Sequence, residues 1–143
     1  MNPIHKFHLE RKKPTAVTLR QFPDIMSVAN CDDMSVIDFP IKRVYYIYDV
    51  PKGIERGGHA HRELRQMLFC PHGSVRVSLD DGLKKAAYVL NKADIGLFVD
   101  KMVWHTMDWL ESGSVLCVAA SDYYDEEDYI RDYDSFEKIV SNR

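Results

Sequence analysis

The 143-residue sequence predicts an all-β fold, a sandwich or barrel of short strands with a short helical segment at its C-terminal end. Three observations carry that expectation. Runs rich in β-branched and aromatic residues recur through the middle of the chain. Turn signals built from Pro, Gly, Asn and Asp separate them at short intervals. Helical character, with acidic starts and weak apolar periodicity, is confined to residues 126–131 and 135–140.

In chain order, Ile41–Asp49 opens just after Pro40 and reads IKRVYYIYD, a strand composition. Leu64–Cys70 is a second strand, stopped by Pro71-His72-Gly73. Ser74–Leu79 alternates cleanly, with Val75, Val77 and Leu79 on one face and Ser74, Arg76 and Ser78 on the other. Asp80-Asp81-Gly82 is a hairpin signal, and Lys84–Leu90 returns as its partner. Asn91–Asp94 makes the next turn, before Ile95–Val99. Val115–Ala120 is a continuous apolar run of the kind a buried strand shows. No repeat or linker divides the chain, so residues 1–143 read as one domain with residues 1–37 as an N-terminal arm.

Composition narrows the function classes. A hydrophobic share of 45% supports a core, and a net charge of −3 argues against a surface built to neutralise nucleic-acid phosphates. No stretch approaches the roughly 20 apolar residues of a membrane helix. The start, Met1-Asn2-Pro3-Ile4-His5-Lys6, has no apolar signal segment, so a cytoplasmic location is expected. Cys31, Cys70 and Cys117 are too scattered for a disulfide framework or a paired-cysteine zinc site. Charge is nonetheless uneven: residues 1–20 are basic and residues 121–137 strongly acidic.

The most informative segment is Arg56-Gly57-Gly58-His59-Ala60-His61. In a strand, residues two apart face one side, so His59 and His61 would present both imidazoles to one space. The preceding glycines let the backbone bend and another group approach closely. Val103-Trp104-His105 supplies a third histidine at a strand edge after a turn.

These residues resemble the first and second motifs of the cupins, small double-sheet β-barrels of the jelly-roll type. Gly53, five residues, His59-Ala60-His61, four residues, Gln66, six residues and Gly73 match the spacing of the first motif, and His105 stands for the second. Gln66 replaces the glutamate that would ligate a metal. That loss of the one anionic ligand favours metal-free use of the histidines as acid and base, with no cofactor.

A longer set of motifs is similar to one family within that fold, the sugar-nucleotide 3,4-ketoisomerases. It comprises Ile41–Asp49, Arg56–His61, Asp80-Asp81-Gly82, Val103-Trp104-His105 and Ala120–Tyr133, spread over residues 38–137. The resemblance implies an isomerase acting on dTDP-4-keto-6-deoxyglucose, working without metal as a homodimer, in the making of 3-amino-3,6-dideoxy sugars for bacterial surface glycans such as O-antigens. It also implies that the N-terminal arm completes the partner's sheet. On this reading His59 is the leading base, His61 supports it, and Tyr45 stabilises or protonates the oxygen of an enediolate. Arg43 and Arg56 suit the diphosphate. Gln66, Trp104 and His105 complete the substrate contacts, with Trp104 packed against the sugar or base. The sequence departs from the family in two places. An Arg-Gly step usual near the start is replaced by Thr15-Ala16-Val17, and Arg65 stands where an acidic residue is common. The same fold also hosts metal-dependent enzymes, sugar 3,5-epimerases and non-catalytic sugar-binding modules, which a metal analysis and an assay would separate.

Overall fold

A computed structural model describes residues 39–93 and 95–143. The N-terminal arm expected at residues 1–37, and with it the expected exchange between subunits, lies outside them. The described chain forms strands β1 (Arg43–Ile47), β2 (Glu55–His61), β3 (Gln66–His72), β4 (Val75–Asp80), β5 (Lys85–Leu90), β6 (Gly96–Val99), β7 (Trp104–Trp109), β8 (Val115–Ala120) and β9 (Tyr129–Ile130). A single turn of 3-10 helix precedes β9 at Glu126–Asp128, and helix α1 (Tyr133–Ser141) follows it. Two antiparallel sheets result, in the orders β1-β8-β3-β6 and β5-β4-β7-β2-β9, and they share no strand. The double-sheet architecture matches the expectation, as two facing sheets rather than one continuous closed ring.

Period-two alternation decides what each sheet buries. Leu68, Val118, Leu116 and Leu97 from one sheet meet Val75, Val77, Leu79, Met107 and Trp109 from the other in the main core. The β4–β5 hairpin folds where the sequence predicts. Gly82, at φ 94°, gives its amide to Asp80 Oδ1, and Leu83 and Lys84 give theirs to Asp81 Oδ1.

On the outer face of the five-stranded sheet, Ala60 and Ile130 pack under Phe136 of α1. Asp132 caps this helix, its carboxylate accepting from the Ser135 amide at 3.0 Å.

Two expectations need correction here. Residues 126–131 are helical only over one 3-10 turn at Glu126–Asp128, after which Tyr129 and Ile130 pair with His61 and Ala60. Burial of Ile130 beneath α1 outweighs the acidic helix-start pattern. Strand β3 also runs on through Pro71, because its register with β8 shifts between Phe69 and His72, where a missing amide is tolerated.

Phe136 is the fully buried residue that holds α1 to the sheet. Replacing it by Ala removes a large side chain from a packed seam and should cost about 3–5 kcal/mol in urea unfolding. A loss below 1 kcal/mol would show that α1 does not depend on this contact.

Candidate active site

The site begins with two glycines. Gly57 and Gly58 have φ of 85° and 82°, in the left-handed region that favours glycine. Between Gly57 and His59 the pairing of β2 with β7 slips by one residue. Arg56 lies opposite Met107 and His59 opposite His105, so the slip brings Arg56 and His59, three apart, to the same inward face. Gly57 also lies close against the backbone of β7. A Cβ there would stand 2.9 Å from the His105 carbonyl oxygen and 3.1 Å from Met107 Sδ.

Three imidazoles converge as a result. Ring centroids lie 5.0 Å apart for His59 and His61, 4.7 Å for His59 and His105, and 5.7 Å for His61 and His105. Tyr129 closes the group, with its ring 4.9 Å from His59 and 4.4 Å from His61. His105 Nδ1 is 3.0 Å from the Val103 carbonyl. A carbonyl only accepts, so that nitrogen carries the proton and Nε2 keeps a lone pair. Burial, followed by the neighbouring His105, pulls His59 and His61 down to about 3. Burial likewise lowers His105. All three rings are therefore neutral near pH 7.

The opposite wall comes from the other sheet. Tyr45 on β1 accepts a hydrogen bond from Gln66 Nε2 at 3.1 Å, which leaves its own O–H free to donate. Burial, then Tyr129, pushes the Tyr45 phenol up to about 12, so it keeps its proton. The Arg43 guanidinium lies 4.9 Å from the Tyr45 ring and 5.7 Å from that of Tyr124. Between the walls runs a cleft of about 510 Å³ bordered by Arg43, Tyr45, Arg56, His59, Gln66 and His105, with apolar Ile47, Leu68 and Val118 below. That volume lies in the range of small-molecule sites.

Of the expected site residues, six border this cleft and His61 packs directly behind His59. Trp104 does not join them. Because His105 points inward, its neighbour in β7 points outward, and the Trp104 ring meets Tyr133 edge-on at 5.2 Å and Phe136 at 5.7 Å. It serves the seam under α1, not the cleft. His105 stands near the start of β7 after a turn, as expected, and β7 is a central strand between β2 and β4.

The structure adds residues that the sequence reading left without a role. Tyr124, Tyr129 and Arg131 line the cleft. Arg131 stacks 4.2 Å from the Tyr129 ring and grips Glu126 through Nε at 2.6 Å and Nη2 at 2.9 Å. Arg131, and then the Tyr124 hydroxyl, hold Glu126 down to about 2. The two-residue spacing of Tyr129 and Arg131 was the available signal, a strand period inside an acidic run.

One nitrogen of each imidazole lies within 4.8 Å of the others, a set that could ligate an ion. Bound at 2.0–2.1 Å to one ion, such nitrogens would be about 3.4 Å apart, so the cluster would have to contract. No carboxylate belongs to it, and Arg43 and Arg131 add positive charge nearby. The donor set does not suit a hard divalent cation.

The family described as FdtA, WxcM-like, C-terminal, matches residues 12–141. The chain belongs to this family. It is 47% identical over 115 residues to the TDP-4-oxo-6-deoxy-alpha-D-glucose-3,4-oxoisomerase of Aneurinibacillus thermoaerophilus, covering 80% of this chain and 83% of that one. It is similar to the crystal structure of a 3,4-ketoisomerase from Helicobacter canadensis, with 39% identity, a TM-score of 0.74, and 89% and 96% of the two chains covered. A mutant of the 3,4-ketoisomerase QdtA from Thermoanaerobacterium thermosaccharolyticum, in complex with TDP-4-keto-6-deoxyglucose, matches at 37% identity and a TM-score of 0.75 over 90% and 94% of the chains.

The buried histidines tie stability to pH. Unfolded, His59 and His61 take up protons near 6.5; folded, only near 3. Between those values the unfolded chain binds more protons, so stability falls as pH drops below about 6.5. The urea midpoint should therefore be lower at pH 5.5 than at 7.5, and the drop should shrink in His61→Gln. An equal drop in both proteins would exclude His61 as a source.

Proposed function

We propose that this chain is a 3,4-ketoisomerase acting on a TDP-linked 4-keto-6-deoxyhexose in the cytoplasm, without metal, toward 3-amino-3,6-dideoxy sugars. The observation that carries the reading is the pairing of a neutral three-histidine cluster with the protonated Tyr45 across an arginine-rimmed cleft. Its 47% identity to a TDP-4-oxo-6-deoxyglucose 3,4-oxoisomerase supports the substrate class.

Moving the ketone from C4 to C3 shifts one hydrogen from C3 to C4 and one from the C3 hydroxyl to the C4 oxygen. The C4 carbonyl acidifies the C3 proton. His59, half-buried at the cleft, takes that proton and leaves an enediolate. Tyr45, with its O–H free and its oxygen held by Gln66, donates to the oxygen that gains charge. Return of a proton to C4 and loss of the O3 proton complete the exchange. Arg43 and Arg56 face the diphosphate, which does not react, so their contribution is mainly binding. A base pulled down to about 3 by burial gains basicity when the dianionic diphosphate binds beside it and as negative charge develops on the sugar oxygen.

The deciding assay incubates the protein with TDP-4-keto-6-deoxyglucose in buffer containing EDTA and follows the sugar by NMR. Appearance of the 3-keto isomer supports the reading, and dependence on added metal would refute its metal-free form.

His59→Asn should lower turnover by about 10²–10⁴-fold, the usual worth of general acid–base catalysis, and stop exchange of the C3 proton with deuterated water. Exchange at the normal rate would place the base elsewhere. The family resemblance further supports a homodimer in which the N-terminal arm extends the partner's sheet. Light scattering should give twice the chain mass at micromolar concentration; a monomer would refute it.

A further inference from the structure

His61 is 2% exposed, and neither of its ring nitrogens has a hydrogen-bond partner among the described residues; nor does His59 Nδ1. Buried polar atoms are paired in the great majority of cases. The group positioned to pair with His61 is the Asp128 carboxylate, whose Oδ2 stands 3.5 Å from Nδ1. That distance is long for a hydrogen bond, as contacts around reacting groups often are before substrate arrives.

Asp128 is held in place by the segment that follows β2, the strand that carries His59 and His61. Its Oδ1 accepts from the Glu63 amide at 2.9 Å and its Oδ2 from the Leu64 amide at 3.1 Å. Its backbone carbonyl accepts from the Arg62 amide at 2.9 Å. The three donors directly follow His61 in the chain. From the other side, the Asp128 amide bonds back to Asp125, and the adjacent Tyr129 pairs with His61 in the ladder. The carboxylate therefore cannot swing away from the imidazole without breaking its bonds to the segment after β2.

We propose that Asp128 is a positioning residue for the isomerisation: it fixes His61 as the tautomer protonated on Nδ1, leaving Nε2 as a lone pair that orients His59. This inference rests on the ketoisomerase reading. A carboxylate only accepts, so the His61 nitrogen facing it carries the ring's one proton. His105 is set the same way by the Val103 carbonyl. Two of the three rings then meet His59 as hydrogen-bond acceptors. A proton on His59 Nδ1 gives that orphaned nitrogen an acceptor in His61 Nε2 after small ring rotations, and leaves His59 Nε2 as the basic lone pair. The arrangement is a carboxylate orienting one imidazole that orients another, with the reacting base at its end.

The test reads the tautomer directly. Long-range ¹H–¹⁵N correlation spectra of the wild-type protein at pH 7.5, without substrate, should show His61 with Nδ1 protonated and Nε2 bare; the opposite tautomer overturns the proposal. In Asp128→Asn, the amide cannot accept from both backbone donors and His61. The His61 signals should then move toward a tautomer mixture, and kcat should fall by about 10–10²-fold, the usual effect of losing an orienting partner of a histidine. Binding of TDP should be unchanged. An unaltered tautomer with unaltered kcat in a folded variant would equally overturn the proposal. Failure of the ketoisomerase reading shows separately, as wild-type protein that leaves TDP-4-keto-6-deoxyglucose unconverted while His61 has the expected tautomer.

Discussion

Gly57 has no room for a side chain, because the carbonyl oxygen of His105 lies only 2.9 Å from where its Cβ would be. That close approach of two backbones is what the site depends on. It adjoins the one-residue slip in β2, and the slip turns Arg56, His59 and His61 toward one space. Without it, period-two alternation would send Arg56 and His59 to opposite faces of the sheet. One face would then hold a guanidinium and the other an imidazole. The bulge lets one strand present both to a single cleft, and the cost is a short irregularity in a central strand.

Much of this was readable in advance, and the reasons differ by residue. Ser74–Leu79 follows the strand period strictly, and Asp80–Gly82 is a strong turn signal, so the β4–β5 hairpin was legible. The spacing of His59 and His61 identified the cluster, since only local geometry is needed to place them together. The slip between Gly57 and His59 was not legible, because it arises from contact with β7, over 40 residues away in sequence. The role of Tyr129 and Arg131 was hidden for a similar reason. Their segment is too short and acidic to declare itself a strand, and it becomes one only by pairing with Ala60 and His61. Trp104 was misplaced although alternation alone would have placed it: if His105 faces inward, its neighbour cannot.

The charges are arranged in two tiers. Neutral imidazoles occupy the buried tier, where burial makes protonation unfavourable. Guanidiniums occupy the rim, where water still reaches them and stacking on Tyr45, Tyr124 and Tyr129 holds them in place. An anionic ligand therefore meets fixed positive charge before it meets any imidazole. The order matters physically, because burial keeps the imidazoles deprotonated, and the nearby charges of Arg43 and Arg131 add to that effect until the anion arrives. Tyr45 stands between the tiers with a hydroxyl that burial prevents from ionising.

The outward turn of Trp104 has a spectroscopic consequence. The chain has two tryptophans, and both fall on β7, five residues apart and hence on opposite faces of one sheet. Trp109 is sealed in the inner core with its indole N–H donated to the Ser114 carbonyl at 3.0 Å. Trp104 is half-buried against the aromatic rings of the terminal helix. A single strand thus carries two intrinsic fluorophores, one reporting the separation of the sheets and the other the lifting of the helix. Replacing either by phenylalanine isolates the other colour, so the order in which the two layers come apart can be watched without attaching a label.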